Sequence, residues 1–561
     1  MPKEISLLPR WLIHTEKGEL RDDVTAGLTI AVMLVPQAMA YAMLAGLPPV
    51  VGLYASTLPL IAYAWLGSSR HLAVGPVAII SLMVFTACSQ LAQPGTADYV
   101  AIVLLLTFMI GLTQLMAGLL RLGFLVNFFS QAVISGFTSA AAIVIALSQM
   151  KHLLGVNLGS EKNVFRLVVE IARHAPETNG ATLTLGVVSI MGLWFLKKRY
   201  PRFPSAILFV VLGTLLCYFG LSKLGVEIVG AVPRGLPAFT VPTFNLEAAR
   251  HLLPATLAIC FVGYMESVSV AKYVATRAGH KIDSNRELLG LGAANLVASL
   301  FSGYPVTGGL SRTAVAYQAG ARTQRAAVIT ALLILLTLLL LTPIFFYLPK
   351  TVLSAVIIVA VGALLDYREA LHLFRIKRAD GLTFLLTFLC TLAIGIEQGL
   401  LIGLVFSLGL FIWRSSHPHT AELGYVEDEG IFRNVTRYPR AKIYPEVLIL
   451  RPDASLYFAN MKFLEDRLSL DIARRPEVRW VVLDMSGVND IDAVSIDAIE
   501  KLMEAYRHRG IGFAFAAMKG PVRDVVNRAG WEEKQGPHIN YPSLQYALRG
   551  IGTLRDPDDD L

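Results

Sequence analysis

Two short glycine-containing stretches in an apolar chain are the part of this sequence best suited to bind an anion. A Gly-Pro pair at 75–76 leads into the helix-like run 77–88, and a Gly-Gly pair at 308–309 leads into the run 310–318. Proline fits the first turn of a helix, where an N–H group has no partner, and glycine lets the backbone turn and approach closely. Both stretches therefore predict half-helices that begin part-way through a membrane.

A helix begins with unpaired N–H groups and about half a positive charge, so its first turn attracts anions. If the two half-helices enter from opposite sides, their positive ends converge on one site in the middle of the membrane. Arg312 adds a guanidinium, which suits an oxyanion because it donates hydrogen bonds in pairs, and Ser311 adds a hydroxyl. Taken singly, the Gly-Pro pair or the Gly-Gly pair could serve only to let helices pack tightly. Because the two pairs occupy matching places in the chain, an anion-binding site is the favoured interpretation. The positions predicted to contact the anion are Gln37, Tyr41, Pro76, Val77, Ala78, Gly309, Leu310, Ser311 and Arg312.

Three further side chains in apolar segments carry polar groups near this predicted site. Gln37 and Tyr41 are four residues apart and share a helix face as neutral donors, although Tyr41 alone also fits an ordinary packed aromatic. Glu266 lies in an apolar run, where a carboxylate is costly and indicates a function. It either carries a proton or cation that travels with the anion, or it neutralises Arg312; the coupling role is the prediction.

The elements that position these residues are predicted to be membrane helices. The 561-residue chain is 55% hydrophobic and only 16% charged, whereas soluble domains average about 25% charged residues. Apolar runs close to the 20 residues that a bilayer requires fill the region 24–413. The fourteen predicted segments are 24–44, 50–66, 76–90, 99–120, 126–150, 181–196, 204–220, 252–273, 287–302, 309–319, 326–347, 351–365, 381–396 and 397–413.

The chain has a net charge of +8, and the placement of its basic residues is explained by orientation in a membrane, so the charge does not indicate nucleic acid as a partner. Lys and Arg concentrate in alternate short loops, which places both termini in the cytoplasm, although the loops at 157–179 and 223–234 depart from the rule. The four cysteines lie singly in different apolar segments, so neither a metal site nor a cofactor is predicted.

The chain divides into two halves of about seven segments, with the half-helices in corresponding places. An odd number of crossings orients the halves oppositely, and paired interrupted segments in such a repeat indicate a transporter's binding site. From about residue 437, alternating strand and helix patterns predict a small α/β domain. The predicted divisions are a cytoplasmic segment 1–23, a membrane domain 24–416, a linker 417–436, the α/β domain 437–552 and a disordered acidic tail 553–561.

Several long motifs in this order resemble the SulP family, also called solute carrier family 26. They are VPQAMAYA at 35–42, LPPVVGLYAS at 47–56, GSSRHLAVGP at 67–76, DSNREL at 283–288 and TGGLSRTAV at 307–315. The tail, with WVVLDMSGV at 480–488 and ID at 491–492, resembles a STAS domain, the sulfate transporter and anti-sigma antagonist module.

This resemblance implies a seven-plus-seven inverted repeat divided into core and gate domains, an elevator-type movement, a homodimer, and an anion held between the third and tenth segments. It implies that Glu266 couples a cation. Sodium-coupled relatives place a threonine one turn later, where this chain has Val270, which favours a proton. Anti-sigma antagonists carry a phosphorylatable serine where this chain has Ala493, so that switch is predicted to be absent.

Sulfate–proton symport across the inner or plasma membrane is the resulting functional prediction. Bicarbonate or C4-dicarboxylate transport, anion exchange and an anion channel remain open, as does a sensor with vestigial transport. The tail has no Gly-rich loop with Lys-Ser or Lys-Thr, which argues against an ATP-driven pump, and no enzyme activity is predicted.

Overall fold

The computed structural model describes residues 11, 18–124, 130–157, 164–200 and 203–554. The chain divides after Ser407 into two compact units, and each is described by itself. Most of the predicted N-terminal segment and of the acidic tail lies outside the described residues.

Long helices dominate the first unit. In its first half they are α1 (Glu19–Leu44), α2 (Pro49–Tyr54), α3 (Leu58–Leu66), α4 (Ala78–Cys88), α5 (Ala97–Leu119), α6 (Gln131–Ser148), α7 (Met150–Leu154), α8 (Val164–His174), α9 (Gly180–Arg199) and α10 (Ser205–Tyr218). In its second half they are α11 (Leu246–Arg277), α12 (Ser284–Leu300), α13 (Leu310–Gln318), α14 (Arg325–Leu340), α15 (Lys350–Val361), α16 (Tyr367–Ile376), α17 (Arg378–Ala393) and α18 (Ile396–Ser416), which continues past Ser407.

This order confirms the predicted membrane architecture. Among the described residues, eight helical spans are long and apolar enough to cross a bilayer, and α4, α10 and α14 are shorter apolar helices. Each predicted segment corresponds to one helix or to a broken pair such as α2 and α3. Two short strands, β1 (Val74–Gly75) and β2 (Thr307–Gly308), precede α4 and α13, so extended backbone leads into both half-helices.

Packing separates the helices into a core and a gate. In the core, α12 packs on α5 and α3, and α14 packs on α1 and α3. In the gate, α17 packs on α6, and α15 packs on α9. Each group therefore takes helices from both halves of the chain, as an inverted repeat requires.

Helices α8 and α16 are amphipathic and occupy the same place in the two repeats, between the fifth and sixth segments. On α16 the apolar side chains of Tyr367, Leu371 and Ile376 are exposed, and Arg368 and Arg375 supply the charge. Apolar and basic residues combined in a short helix are typical of a helix lying in the plane of the membrane interface.

The second unit confirms the predicted α/β domain. Its sheet has the strand order β4-β3-β5-β6-β7, with β5, β6 and β7 parallel. The strands are β3 (Thr420–Val426), β4 (Ile431–Asn434), β5 (Val447–Pro452), β6 (Trp480–Asp484) and β7 (Gly512–Ala516). The helices are α19 (Met461–Arg474), α20 (Ala493–Arg507), α21 (Gly520–Arg528), α22 (Trp531–Gln535) and α23 (Leu544–Gly550).

The prediction of a linker at 417–436 is wrong. Strands β3 and β4 form an antiparallel hairpin in this span, and β3 also pairs with β5. Gly430 has a positive φ of 66° in the turn, which glycine adopts without steric cost. Ala421 and Leu423 are buried in the domain core, so burial of one face stabilises the hairpin despite its charged turn.

Candidate functional site

The two half-helices are joined at their beginnings by a miniature β-ladder. Strands β1 and β2 pair antiparallel, with Val74 opposite Gly308 and Gly75 opposite Thr307. The N-caps of α4 and α13, Val77 and Gly309, have extended backbone, and neither caps its helix with a side-chain hydrogen bond. The pairing brings two helix N-termini together while leaving their first turns without side-chain caps, as an anion site requires.

A relay of hydroxyl groups fixes β2 to α11. The N–H group of Gly308 donates to Ser267 Oγ over 2.8 Å, and Thr307 Oγ1 donates to the carbonyl oxygen of Gly263 over 2.6 Å. The two hydroxyl oxygens lie 2.6 Å apart, so the Ser267 hydroxyl donates to Thr307. Every donor in this buried chain has an acceptor, which holds β2 in one position.

Asn295 of α12 holds the residue before β2. Its Oδ1 accepts from the N–H group of Val306 over 2.8 Å, and its Nδ2 donates to the Val306 carbonyl over 3.1 Å and to Gln114 Oε1 over 2.9 Å. The amide side chain thus supplies the backbone of Val306 with the pairing that a neighbouring strand would give. Such buried polar partners are required because lipid cannot satisfy the backbone.

Thr313 and Ser81 tie the half-helices to the ladder. Thr313 Oγ1 accepts from the N–H group of Ala73 over 3.0 Å and donates to the Gly309 carbonyl over 2.8 Å. Ser81 Oγ donates to the Val77 carbonyl over 2.8 Å, and the Tyr304 hydroxyl lies 3.0 Å away. These supporting residues are not among the site residues predicted from sequence, and the Ser, Thr and Asn residues clustered near the half-helices were the signal that could have indicated them.

Arg312 is buried between the half-helices, with 2% of its surface exposed. Its Nη1 donates to the carbonyl oxygen of Pro76 over 2.7 Å, which links α13 to the start of α4. Within the described part of the chain, its Nε and Nη2 have no hydrogen-bond partner. A Cβ on Gly75 would lie 3.3 Å from Nη2, and one on Gly309 would lie 2.7 Å from it, so both glycines leave room for the guanidinium. The guanidinium therefore keeps buried donors available for a bound anion.

Two other predicted side chains interact with this charge, and a third is buried on α1. Arg312 interacts electrostatically with Glu266 and with Tyr41, which is buried. Among the described residues, Gln37 Oε1 and Glu266 Oε2 are buried without a hydrogen-bond partner. A group of unpaired polar atoms inside a membrane domain is costly unless a ligand or proton satisfies them.

Glu287, a second buried acid, provides a contrast with Glu266. Its carboxylate accepts from the Tyr63 hydroxyl over 2.6 Å, from the Ser68 hydroxyl over 2.6 Å, and from the N–H groups of Ser68 and Ser69 over 2.9 Å each. Glu287 is satisfied within the fold and holds the loop after α3. In contrast, Glu266 has a carboxylate oxygen without a hydrogen-bond partner in the described residues, so of these two acids it is the one available to bind a proton or a ligand.

The predicted site residues divide into buried and exposed groups. Pro76 supplies an acceptor to Arg312, and Ala78 and Leu310 are the first residues of α4 and α13. Leu310 and Ser311 are exposed, so the first turn of α13 opens to the surface while Arg312 in the same turn is buried. The Ser311 hydroxyl thus lies on a different side of α13 from the Arg312 guanidinium, and its predicted contact with the anion stays a prediction.

Comparison with known proteins identifies the family. The profile of the sulfate permease family matches residues 20–387, and that of the STAS domain matches residues 438–547. The chain belongs to the sulfate permease family. It is a multi-pass membrane transporter of anions and not an enzyme, with a C-terminal STAS domain.

Individual relatives span nearly the whole chain. It is 38% identical to "Sulfate transporter 4.1, chloroplastic" of Arabidopsis thaliana, over 94% of this chain and 79% of that protein. It is 33% identical to a probable sulfate transporter of Mycobacterium tuberculosis, over 95% of each chain. The inward-facing structure of the murine anion transporter Slc26a9 superposes with a TM-score of 0.90 at 27% identity, covering 98% of this chain and 94% of that one.

A change at Thr307 tests the supporting relay. Thr307→Val leaves the Ser267 hydroxyl and the Gly263 carbonyl without their buried partner, which costs about 1–3 kcal/mol. We expect a lower thermal unfolding midpoint and weaker anion binding in the purified transporter. Thr276→Val is the matched control, because the exposed Thr276 hydroxyl bonds only to its own helix at Lys272. Equal effects of the two changes would show that the relay does not hold the site.

Proposed function

We propose that this protein is a secondary transporter that carries sulfate together with a proton by an elevator-type movement. The observation that carries the proposal is the junction of two half-helix N-termini around a buried arginine with unpaired donors. A tetrahedral dianion has several acceptor oxygens, which match the N–H groups of two helix starts and the guanidinium. The names of the relatives in Arabidopsis thaliana and Mycobacterium tuberculosis support sulfate as the substrate.

A proton on Glu266 is the proposed coupling ion. Its carboxylate interacts electrostatically with Arg312, and its Oε2 is buried without a hydrogen-bond partner in the described residues. We propose that the carboxylate responds to the charge of the bound anion through Arg312 and that a proton satisfies its unpaired oxygen. One turn later, the buried hydrocarbon side chain of Val270 supplies no oxygen ligand for sodium.

The placement of the site supports an elevator-type movement. Helices α4 and α13 both pack on α1 of the core. We therefore propose that the ladder, both half-helices and Arg312 move as one body when the core slides against the gate. The same proposal places both termini in the cytoplasm, the protein in the inner or plasma membrane, and two copies in a homodimer. It retains domain divisions at 1–23, 24–416 and 553–561, and it extends the α/β domain predicted at 437–552 to begin at β3.

Uptake of radiolabelled sulfate into proteoliposomes tests the proposal. With an inward proton gradient we expect sulfate to accumulate above its external concentration, and we expect the proton ionophore that collapses the gradient to abolish accumulation. Accumulation of bicarbonate or a C4-dicarboxylate instead would change the substrate. Sulfate flux that only equilibrates under every gradient would indicate an exchanger or channel and would contradict symport.

A further inference from the structure

A cavity of about 380 Å³ lies inside the membrane domain, apart from the anion site. Helices α1 and α14 of the core form one wall, with Val32 and Leu333 among the lining residues. Helix α10, which packs on the gate helices α9 and α15, and the turn at 341–348 form the other wall, where Val211 and Leu215 contribute. Its volume falls in the range of pockets that hold small ligands, roughly 300–1,000 Å³.

The lining offers no free side-chain hydrogen-bond donor to a ligand. Its hydroxyl groups belong to Thr214 and Thr337, and both donate within their own helices, to the carbonyls of Val210 over 2.7 Å and of Leu333 over 2.9 Å. No charged side chain is among the described lining residues. Water and polar ligands find no free side-chain donor in this mostly apolar lining, so its chemistry favours hydrocarbon.

The cavity reaches the outer surface of the membrane domain. Leu28 on α1, Val211 and Leu215 on α10, and Leu336 on α14 line it and are also exposed. All three helices are apolar membrane segments, so their exposed faces meet the acyl chains of the bilayer. The most abundant hydrocarbon at the mouth of the cavity is therefore a lipid tail.

We propose that this cavity binds one acyl chain of a membrane phospholipid. The acyl chain would enter between α10 and the α1–α14 pair and pack against Pro36 and Met39, which line the cavity. Pro36 immediately precedes Gln37, so the lipid supports the helix that presents Gln37 and Tyr41 to the anion. Because the two walls belong to the core and the gate, the bound chain also lies at the boundary that the proposed elevator movement crosses, and this consequence rests on the proposed function.

Photolabelling with a diazirine-bearing phosphatidylcholine tests the site in proteoliposomes of the full chain. We expect labelled peptides from α1 and α14 that include cavity residues. In the double variant Val211→Trp with Leu215→Trp, labelling of these peptides falls about tenfold, because two indole rings fill space that a close-packed chain would need.

Neighbouring residues on the same helix provide a matched control. Leu212 and Leu216 are 44% and 47% exposed, against 48% and 47% for Val211 and Leu215, but they do not line the cavity. Leu212→Trp with Leu216→Trp should leave the labelling of α1 and α14 unchanged. Equal labelling in both double variants, or labelling confined to residues outside the cavity, would overturn the proposal, provided that both variants elute as the wild type does.

Sulfate uptake by the same variants separates this proposal from the proposed function. We expect the cavity-filling variant to change the initial uptake rate at least about threefold, and the control variant to retain the wild-type rate, since only the former repacks the boundary between core and gate. If the wild type transports no sulfate, the proposed substrate fails, and the labelling result still decides the lipid site. If labelling fails while uptake is normal, the lipid site alone is wrong.

Discussion

Replacing Arg312 by glutamine is expected to remove sulfate binding almost completely. The guanidinium is buried at the junction of the two half-helices and keeps Nε and Nη2 without partners in the described part of the chain. Loss of a buried, hydrogen-bonded charge partner costs about 2–5 kcal/mol, which corresponds to a loss in affinity of roughly 30-fold to several thousand-fold. Glutamine ends about where the Nε of arginine lies, so the variant also loses the hydrogen bond to the Pro76 carbonyl, while the β1–β2 ladder still joins the starts of α4 and α13.

Binding to detergent-solubilised protein, measured by calorimetry or by ligand-induced thermal shift, provides the readout. Arg322→Gln is the control, because Arg322 forms an ion pair with Asp22 that is largely exposed and contributes little to stability. Arg312→Lys is expected to recover only part of the affinity, since an ammonium cannot donate in parallel to two oxygens. Wild-type sulfate affinity in a folded Arg312→Gln variant would remove the arginine from the site.

Replacing Glu266 by glutamine is expected to abolish proton-driven accumulation and to preserve exchange. Glutamine has nearly the same shape but cannot release a proton at any physiological pH. For one coupled proton, each unit of pH gradient supplies about 1.4 kcal/mol, or roughly tenfold accumulation. The wild type should therefore accumulate sulfate about tenfold per pH unit, whereas Glu266→Gln should only equilibrate it.

Sulfate counterflow in the same proteoliposomes shows whether the variant still moves the anion. Glu247→Gln is the matched control, because Glu247 lies in the first turn of the same helix and is exposed. If Glu266 only balances the charge of Arg312, Glu266→Gln should instead impair binding and counterflow together. Undiminished accumulation by the variant would exclude Glu266 as the proton carrier.

The half-helices were predictable from sequence because their signals are local. The Gly-Pro and Gly-Gly pairs break an apolar pattern within a few residues, and α4 and α13 begin within two residues of the predicted positions. The groups that hold them were not predictable in this way. Ser267, Asn295 and Thr313 reach residues on other elements, so their role depends on how helices far apart in the chain pack together.

The hairpin at 420–434 was missed for a related reason. Its composition is charged and its strands are short, so local propensity favours a linker; pairing with β5 and burial of one face decide the outcome. The sequence by itself determined that this is a multi-pass membrane protein with two opposed half-helices and an α/β tail, because hydropathy and backbone breaks are properties of neighbouring residues. Only the tertiary structure decided that Arg312 turns toward Pro76, that Glu287 is satisfied while a Glu266 oxygen is not, and that an apolar cavity lies beside α1, because these depend on contacts between distant segments.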